Sequence, residues 1–272
     1  MRWTFIGGGN MASSLIGGLL NDGTETAAVQ VLDVDPAQQD RIKQRFGVNC
    51  ISSIDDISAE DAVVIAVKPD KVRTVCESFQ VKTLAKTPAL FVSVAAGVTA
   101  RAMEQWLPDG TPVVRTMPNT PALLGLGATA LFANAACTKH HCEAAERLMQ
   151  STGITEWVDK EQQLDAVTAL SGSGPAYFFY LIEQMIESAT KLGLPDESAR
   201  KLAIQTAVGA ATMARDAGQT PATLRQQVTS KGGTTHAAVS TFDSLELPAT
   251  IQAAMQAAYD RSIELGKEFG DS

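Results

Sequence analysis

Two glycine-rich turns carry the residue types in this chain best suited to chemistry. Gly7-Gly8-Gly9-Asn10-Met11-Ala12 has the form G-x-G-x-x-A. It follows a short apolar run, residues 3–6, and opens a helical pattern, residues 11–20. In that context such a loop binds a dinucleotide. Gly7 allows the tight turn, Gly9 lets the backbone approach a pyrophosphate, and Ala12 lets the helix lie close on the strand. The free N–H groups and positive dipole end of the helix then face the phosphates. The second turn, Gly232-Gly233-Thr234-Thr235, offers successive backbone N–H groups ahead of a helical stretch, residues 236–242. That is a nest for a small anion such as a carboxylate.

Asp33 ends the second apolar run, residues 29–33, and Asp35 follows closely. An acidic residue there hydrogen-bonds the ribose 2′-hydroxyl of NAD and repels the 2′-phosphate of NADP, which leans towards NADH. One of the two aspartates also suits the cap of a helix beginning at Pro36. Cys137-Thr138-Lys139-His140-His141-Cys142 has metal-ligand types. Adjacent helical residues point about 100° apart, so these side chains do not converge. The segment reads as a surface helix start, and no metal is expected. His236 has the side chain suited to proton transfer near neutral pH. It is one residue along a helix from Thr235, points elsewhere and reads as a surface or capping residue.

The elements that must position these residues follow from periodicity. Apolar runs at residues 3–6, 29–33, 62–67, 89–94 and 112–116 alternate with helical patterns, including residues 36–45 and a helix after Pro69. Runs of this kind read as buried parallel strands of a doubly wound α/β sheet. Residues 128–132 and 154–158 add strands, with a helix at 143–149 between them. After about residue 160 the strand signals stop, and residues 163–170, 175–192, 198–217 and 248–269 read as helices. A loop, residues 228–236, separates the last two. The expected organisation is a Rossmann domain over residues 1–160 and an all-helical domain over 161–272.

Composition sets the outer bounds. The 272 residues include 22 Lys+Arg and 30 Asp+Glu, a net charge of −8, with 45% apolar and 19% charged residues. That supports two domains with a large core and argues against nucleic acid or an anionic membrane as partner. Cys50, Cys76, Cys137 and Cys142 are too few for a disulfide framework and read as reduced thiols of a cytoplasmic protein. The longest apolar stretch, residues 123–137, is too short and too interrupted to span a membrane. Residues 177–182 are apolar or aromatic around the whole helix, which means burial on all sides and favours a dimer interface. Alanine-rich stretches at 203–214 and 249–258 point to further close helix packing.

These stretches recur together with Ala66-Val67-Lys68-Pro69, Ser93-Val94-Ala95-Ala96-Gly97-Val98, Arg115-Thr116-Met117-Pro118-Asn119-Thr120-Pro121, Leu170-Ser171-Gly172-Ser173-Gly174-Pro175-Ala176-Tyr177 and Val228-Thr229-Ser230-Lys231-Gly232-Gly233-Thr234-Thr235. In this order, over nearly the whole chain, they closely resemble Δ1-pyrroline-5-carboxylate reductase. The resemblance implies an N-terminal Rossmann domain and a C-terminal helical domain that dimerises, with dimers often assembling into decamers. It implies a reduced nicotinamide cofactor, NADPH or NADH and usually NADPH, and 1-pyrroline-5-carboxylate as substrate, reduced to L-proline. By position, Gly7, Gly8, Gly9, Asn10 and Met11 lie over the cofactor phosphates. Ala66, Val67, Lys68, Pro69, Ala95 and Ala96 line its cleft, and Asn119 and Thr120 sit near the nicotinamide. Ser230, Gly232, Gly233, Thr234 and Thr235 form the substrate-carboxylate loop, with Thr235 at the proton-donor position. A threonine hydroxyl is a poor acid, so orientation or relay from water is the expected role.

Two features depart from the family pattern, one of them a pair of residues. Lys231 stands where many members carry proline, and Asp33 and Asp35 stand where many carry neutral or basic residues. A 3-hydroxyacid dehydrogenase shares the two-domain plan but needs a lysine early in the helix after the glycine-rich segment. None occurs between Gly174 and Lys191. A non-catalytic NAD(P)-sensing module would have no need of the second anion nest.

Overall fold

The computed structural model describes residues 2–57, 62–82 and 90–270. Short runs of Val, Ile, Leu and Phe, bounded by glycine, proline and polar turns, form the strands of one sheet. They are β1 (Trp3–Ile6), β2 (Val29–Leu32), β3 (Asn49–Cys50), β4 (Ala62–Ile65), β5 (Leu90–Ser93), β6 (Val113–Met117), β7 (Gly127–Ala133) and β8 (Gly153–Trp157). Their order is β3-β2-β1-β4-β5-β6-β7-β8, and every pair is parallel except β6 and β7. Trp3 pairs with Val29 on one side and Ala62 on the other, so the connections diverge at β1 and β4. This is the topological switch point at which open α/β sheets bind ligands.

Alternate side chains of each strand go to opposite faces. Phe5, Val64 and Val92 join the core beneath α1 (Asn10–Asn21), α2 (Pro36–Phe46) and α5 (Lys139–Gln150). Ile6, Val63, Ile65 and Phe91 join the other core, beneath α3 (Pro69–Lys82) and α4 (Ala100–Trp106). Helices therefore cover both faces, as the alternation of elements predicts.

Several elements depart from the sequence reading. Of the run 89–94, Leu90–Ser93 is strand and Ala89 lies outside the described residues. β3 and α4 give no periodic signal because they hold two and seven residues. Thr99 starts α4 by accepting the Ala102 N–H on its hydroxyl. The stretch 163–170 is an α-helix, α6 (Gln163–Val167), running into a π-helical turn, Thr168–Gly172. The loop 228–236 is shorter than its sequence pattern, because the helix beyond it begins at Thr234.

The chain divides into two compact units, Met1–Ser173 with Ala257–Ser272, and Gly174–Gln256. In the first unit, Leu164 is fully buried and Ser262 donates to Asp165 at 2.7 Å, which joins α6 to the end of the last helix, α11 (Leu247–Gly270). The second unit holds α7 (Gly174–Lys191), α8 (Asp196–Asp216), α9 (Pro221–Gln227), α10 (Thr234–Ser244) and the start of α11. The short α9 follows a Thr220 cap and Pro221, a start the sequence reading missed. In this unit only Gly174, Ala199 and Ala203 are buried. Among the described residues no helix is long and apolar enough to cross a membrane.

Candidate active site

The glycine loop lies at the C-terminal end of β1. Gly7 has φ +96, and a Cβ there would come within 2.6 Å of the Ala66 carbonyl oxygen, so only glycine fits. Its N–H donates to Leu32 O at 2.8 Å, which ties the turn to β2. Gly9 caps α1 without any side chain, and a Cβ built on it meets nothing within 4 Å. The first turn of α1 thus presents unpaired N–H groups over open space. Ala12 is fully buried beneath it. An exposed, uncapped helix start over a glycine-permitted turn fits a pyrophosphate.

Asp33 stands beside this loop. Its Oδ2 accepts the Gly8 N–H at 2.6 Å and its Oδ1 accepts the Asp35 N–H at 2.9 Å. Asp35 supplies the helix cap, its Oδ1 accepting the Ala37 N–H at 3.0 Å. The two roles open in the sequence are therefore divided, with Asp33 at the loop and Asp35 on α2. Gln38 Nε2 donates to the Gly8 carbonyl, a contact with no local sequence signal.

The other cofactor candidates follow the ends of the neighbouring strands. Ala66, Val67, Lys68 and Pro69 follow β4, with the Lys68 side chain exposed. Ala95 and Ala96 follow β5, and the Ala95 N–H donates to Ser93 Oγ at 3.3 Å. Asn119 and Thr120 follow β6, and the Asn119 side chain makes a hydrogen bond at each end of its amide. Its Oδ1 accepts the Ala128 N–H at 2.9 Å and its Nδ2 donates to Ser171 O at 3.0 Å. That amide braces the chain and keeps one N–H beyond these two bonds, and Thr120 is exposed.

One residue that the sequence reading passed over ties these segments together. Glu161 Oε1 accepts the Ala100 N–H at 2.6 Å and Arg115 Nη1 at 3.0 Å. Ala100 follows the Ala95–Ala96 turn, and Arg115 lies four positions before Asn119. No local pattern marks Glu161, because its partners are 61 and 46 residues away.

The substrate-loop candidates all fall in the helical unit. Gly232 has φ +76, and the Gly233 N–H donates to Ser230 O at 3.0 Å. A Cβ on Gly233 would lie 2.6 Å from Ser230 Oγ and 3.2 Å from Ser230 O, so a side chain there would make the Ser230 hydroxyl move. Gly233 caps α10 with no side-chain hydrogen bond. Of the N–H groups in the nest, Gly233 is therefore used internally, while Thr234, Thr235 and His236 form the open first turn. Thr235 and His236 are exposed.

The Cys137–Cys142 segment has its own partners. Cys137 Sγ lies 3.4 Å from Val113 O, and burial pushes its thiol up to about 11. His141 accepts the Thr138 N–H on Nδ1 at 3.2 Å and closes a capping box on α5. Burial, then His140, holds its pKa below the ordinary histidine value.

Fold and site define a class, an oxidoreductase built on a Rossmann dinucleotide-binding domain. Residues 2–97 match the family model described as NADP oxidoreductase, coenzyme F420-dependent, and residues 161–265 match pyrroline-5-carboxylate reductase dimerisation. The pyrroline-5-carboxylate reductase of Pseudomonas aeruginosa is 44% identical over 270 residues, covering 99% of this chain and 98% of that protein. That of Haemophilus influenzae is 39% identical, covering 96% of each. The solved structure of the Coxiella burnetii enzyme superposes with a TM-score of 0.91 at 40% identity, covering 98% of each chain. The Plasmodium falciparum pyrroline carboxylate reductase, solved with NADP bound, superposes with a TM-score of 0.84 at 28% identity, covering 98% of each. The chain belongs to the pyrroline-5-carboxylate reductase family. It is an NAD(P)H-dependent oxidoreductase acting on a CH–NH group.

Proposed function

We propose that this chain reduces the C=N bond of 1-pyrroline-5-carboxylate to L-proline with NADPH or NADH, the last step of proline biosynthesis. In this reading residues 1–160 hold the cofactor through Gly7, Gly8, Gly9, Asn10, Met11, Asp33, Ala66, Val67, Lys68, Pro69, Ala95, Ala96, Asn119 and Thr120. Residues 161–272 dimerise and hold the substrate. The reduced nicotinamide, when bound, supplies the hydride that reaches the imine carbon. The chain's own part is to bind, orient and protonate.

The observation that carries the reading is the second glycine turn. The uncapped N–H groups of Thr234, Thr235 and His236 suit the substrate carboxylate in an otherwise acidic protein. Ser230 and Gly233 hold that turn closed. The Thr235 hydroxyl donates a hydrogen bond to the ring nitrogen, so that charge does not build there, and passes on a proton from water. Loss of NADPH or NADH absorbance that depends on pyrroline-5-carboxylate is the expected result with purified protein. No such loss with either cofactor overturns the reading.

The working form is a homodimer in the cytoplasm, with dimers assembling further into decamers. An isolated helical unit with three buried residues has almost no core of its own. Phe178, Phe179 and Tyr180 are 64–66% exposed, an apolar face that a second copy covers. Phe179→Glu is expected to shift the mass measured by light scattering towards the monomer, and an unchanged mass rejects that interface. The cytoplasmic assignment rests on the free thiols and the biosynthetic role.

A further inference from the structure

The geometry points to Asp33 as the specificity-determining residue that makes this chain select NADH over NADPH. The inference rests on the dinucleotide reading above and goes further, to the group on the adenosine ribose that the chain accepts.

Three observations support it. The carboxylate is fixed, because the Gly8 N–H and the Asp35 N–H each occupy one of its oxygens. Gln39 Nε2 adds a bond to the Asp33 carbonyl at 2.6 Å, which holds the backbone as well. Asp33 therefore cannot swing away from a ligand without opening the glycine loop. Each oxygen still has a lone pair, enough to accept from a ribose hydroxyl.

The charge around this position is wrong for a phosphate. Asp33 and Asp35 place two carboxylates at the mouth of the loop, and Arg41 is held by Asp35 at 3.6 Å. A 2′-phosphate beside Asp33 would meet like charge at hydrogen-bonding range, where repulsion is strongest. Between the two aspartates, Val34 is 99% exposed. A bare valine there suits the flat face of an adenine ring and offers nothing to an anion.

The test is direct binding, read by nicotinamide fluorescence and by competition with 5′-AMP and adenosine 2′,5′-bisphosphate. The wild-type protein is expected to bind NADH at least tenfold more tightly than NADPH, or about 1.4 kcal/mol. It should likewise prefer 5′-AMP to the bisphosphate. Asp33→Asn, with its fold checked by circular dichroism, should shrink the NADH-to-NADPH ratio at least fivefold, chiefly by tightening NADPH. Arg41→Gln should leave that ratio within twofold. Equal or tighter NADPH binding by the wild type, or an unchanged ratio in Asp33→Asn, overturns the inference while the dinucleotide reading stands. Selective loss of NADPH binding in Arg41→Gln also overturns it, since Arg41 would then be the phosphate partner. Failure of both cofactors to bind overturns the inference and the dinucleotide reading together.

Discussion

Glu161→Ala is the most informative single perturbation of the first compact unit, Met1–Ser173 with Ala257–Ser272. One carboxylate oxygen, Oε1, accepts both the Ala100 N–H and Arg115 Nη1. The Arg115 side chain is 4% exposed and that of Glu161 14%. Removing one partner of a buried pair leaves the other charge uncompensated, which costs about 3–5 kcal/mol. A cavity of about 420 Å³ borders Arg115 and admits water, which places the expected loss near about 3 kcal/mol. For a chain of this size that is a fall in Tm of roughly 6–12 °C. Glu161→Gln keeps an acceptor for both donors and loses only the charge, so about 1–2 kcal/mol is expected. Denaturant midpoints at constant m-value measure both changes. Cofactor affinity should fall in Glu161→Ala and largely return in Glu161→Gln, because the pair braces the chain on either side of the Ala95 and Asn119 turns. A loss below about 1 kcal/mol in Glu161→Ala, or equal damage in the two variants, would refute the reasoning.

Other expectations bear on single residues. Gly7→Ala forces a side chain into left-handed backbone at a strain of about 1–2 kcal/mol and against the Ala66 carbonyl. Dinucleotide affinity should drop more than tenfold by titration, and an affinity close to wild type would show that the loop does not bind the phosphates. Thr235→Ala should lower kcat/KM more than about tenfold, roughly 1.4 kcal/mol, with cofactor Kd unchanged, and a smaller fall removes Thr235 as proton donor. Burial pushes the Cys76 thiol from about 9 up to about 12. Its folded pKa is the higher one, so its contribution is complete below pH 9 and is lost as pH rises from 9 to 12. Between pH 9 and about 10.5 the wild type should lose up to about 2 kcal/mol more than Cys76→Ala by denaturant titration, and parallel losses would contradict the shift.

Much of the cofactor half was legible because its signals are local. The strand, glycine loop and helix at residues 3–20 lie within one turn-connected segment, and Asp33 needs only the end of the next strand. The rest depended on pairings that no local pattern encodes. Asn119 reads as a ligand contact from its motif, and the bonds of its amide to Ala128 and Ser171 have no signal in that motif. Residues 177–182 read as buried on all sides, yet Tyr177, Phe178, Phe179, Tyr180 and Leu181 are exposed within one chain, the face for which we propose a second copy as cover. The short α4 and α9 lack the length over which a helical period can show.

By itself, then, the sequence determined the class of fold, the two glycine turns that open helices and the acidic residue that follows the second strand. Each depends on backbone freedom at glycine or on periodicity over a few residues. Only the tertiary structure decided which atoms are free to work. It engages both oxygens of Asp33, divides the loop and cap roles between Asp33 and Asp35, and hangs Ala100 and Arg115 on Glu161. The physical reason is that buried donors and acceptors must be paired: the partners of Glu161 and of Asp33 Oδ2 are chosen by the sheet order, while the two bonds of Asp35 are local, two residues along the chain.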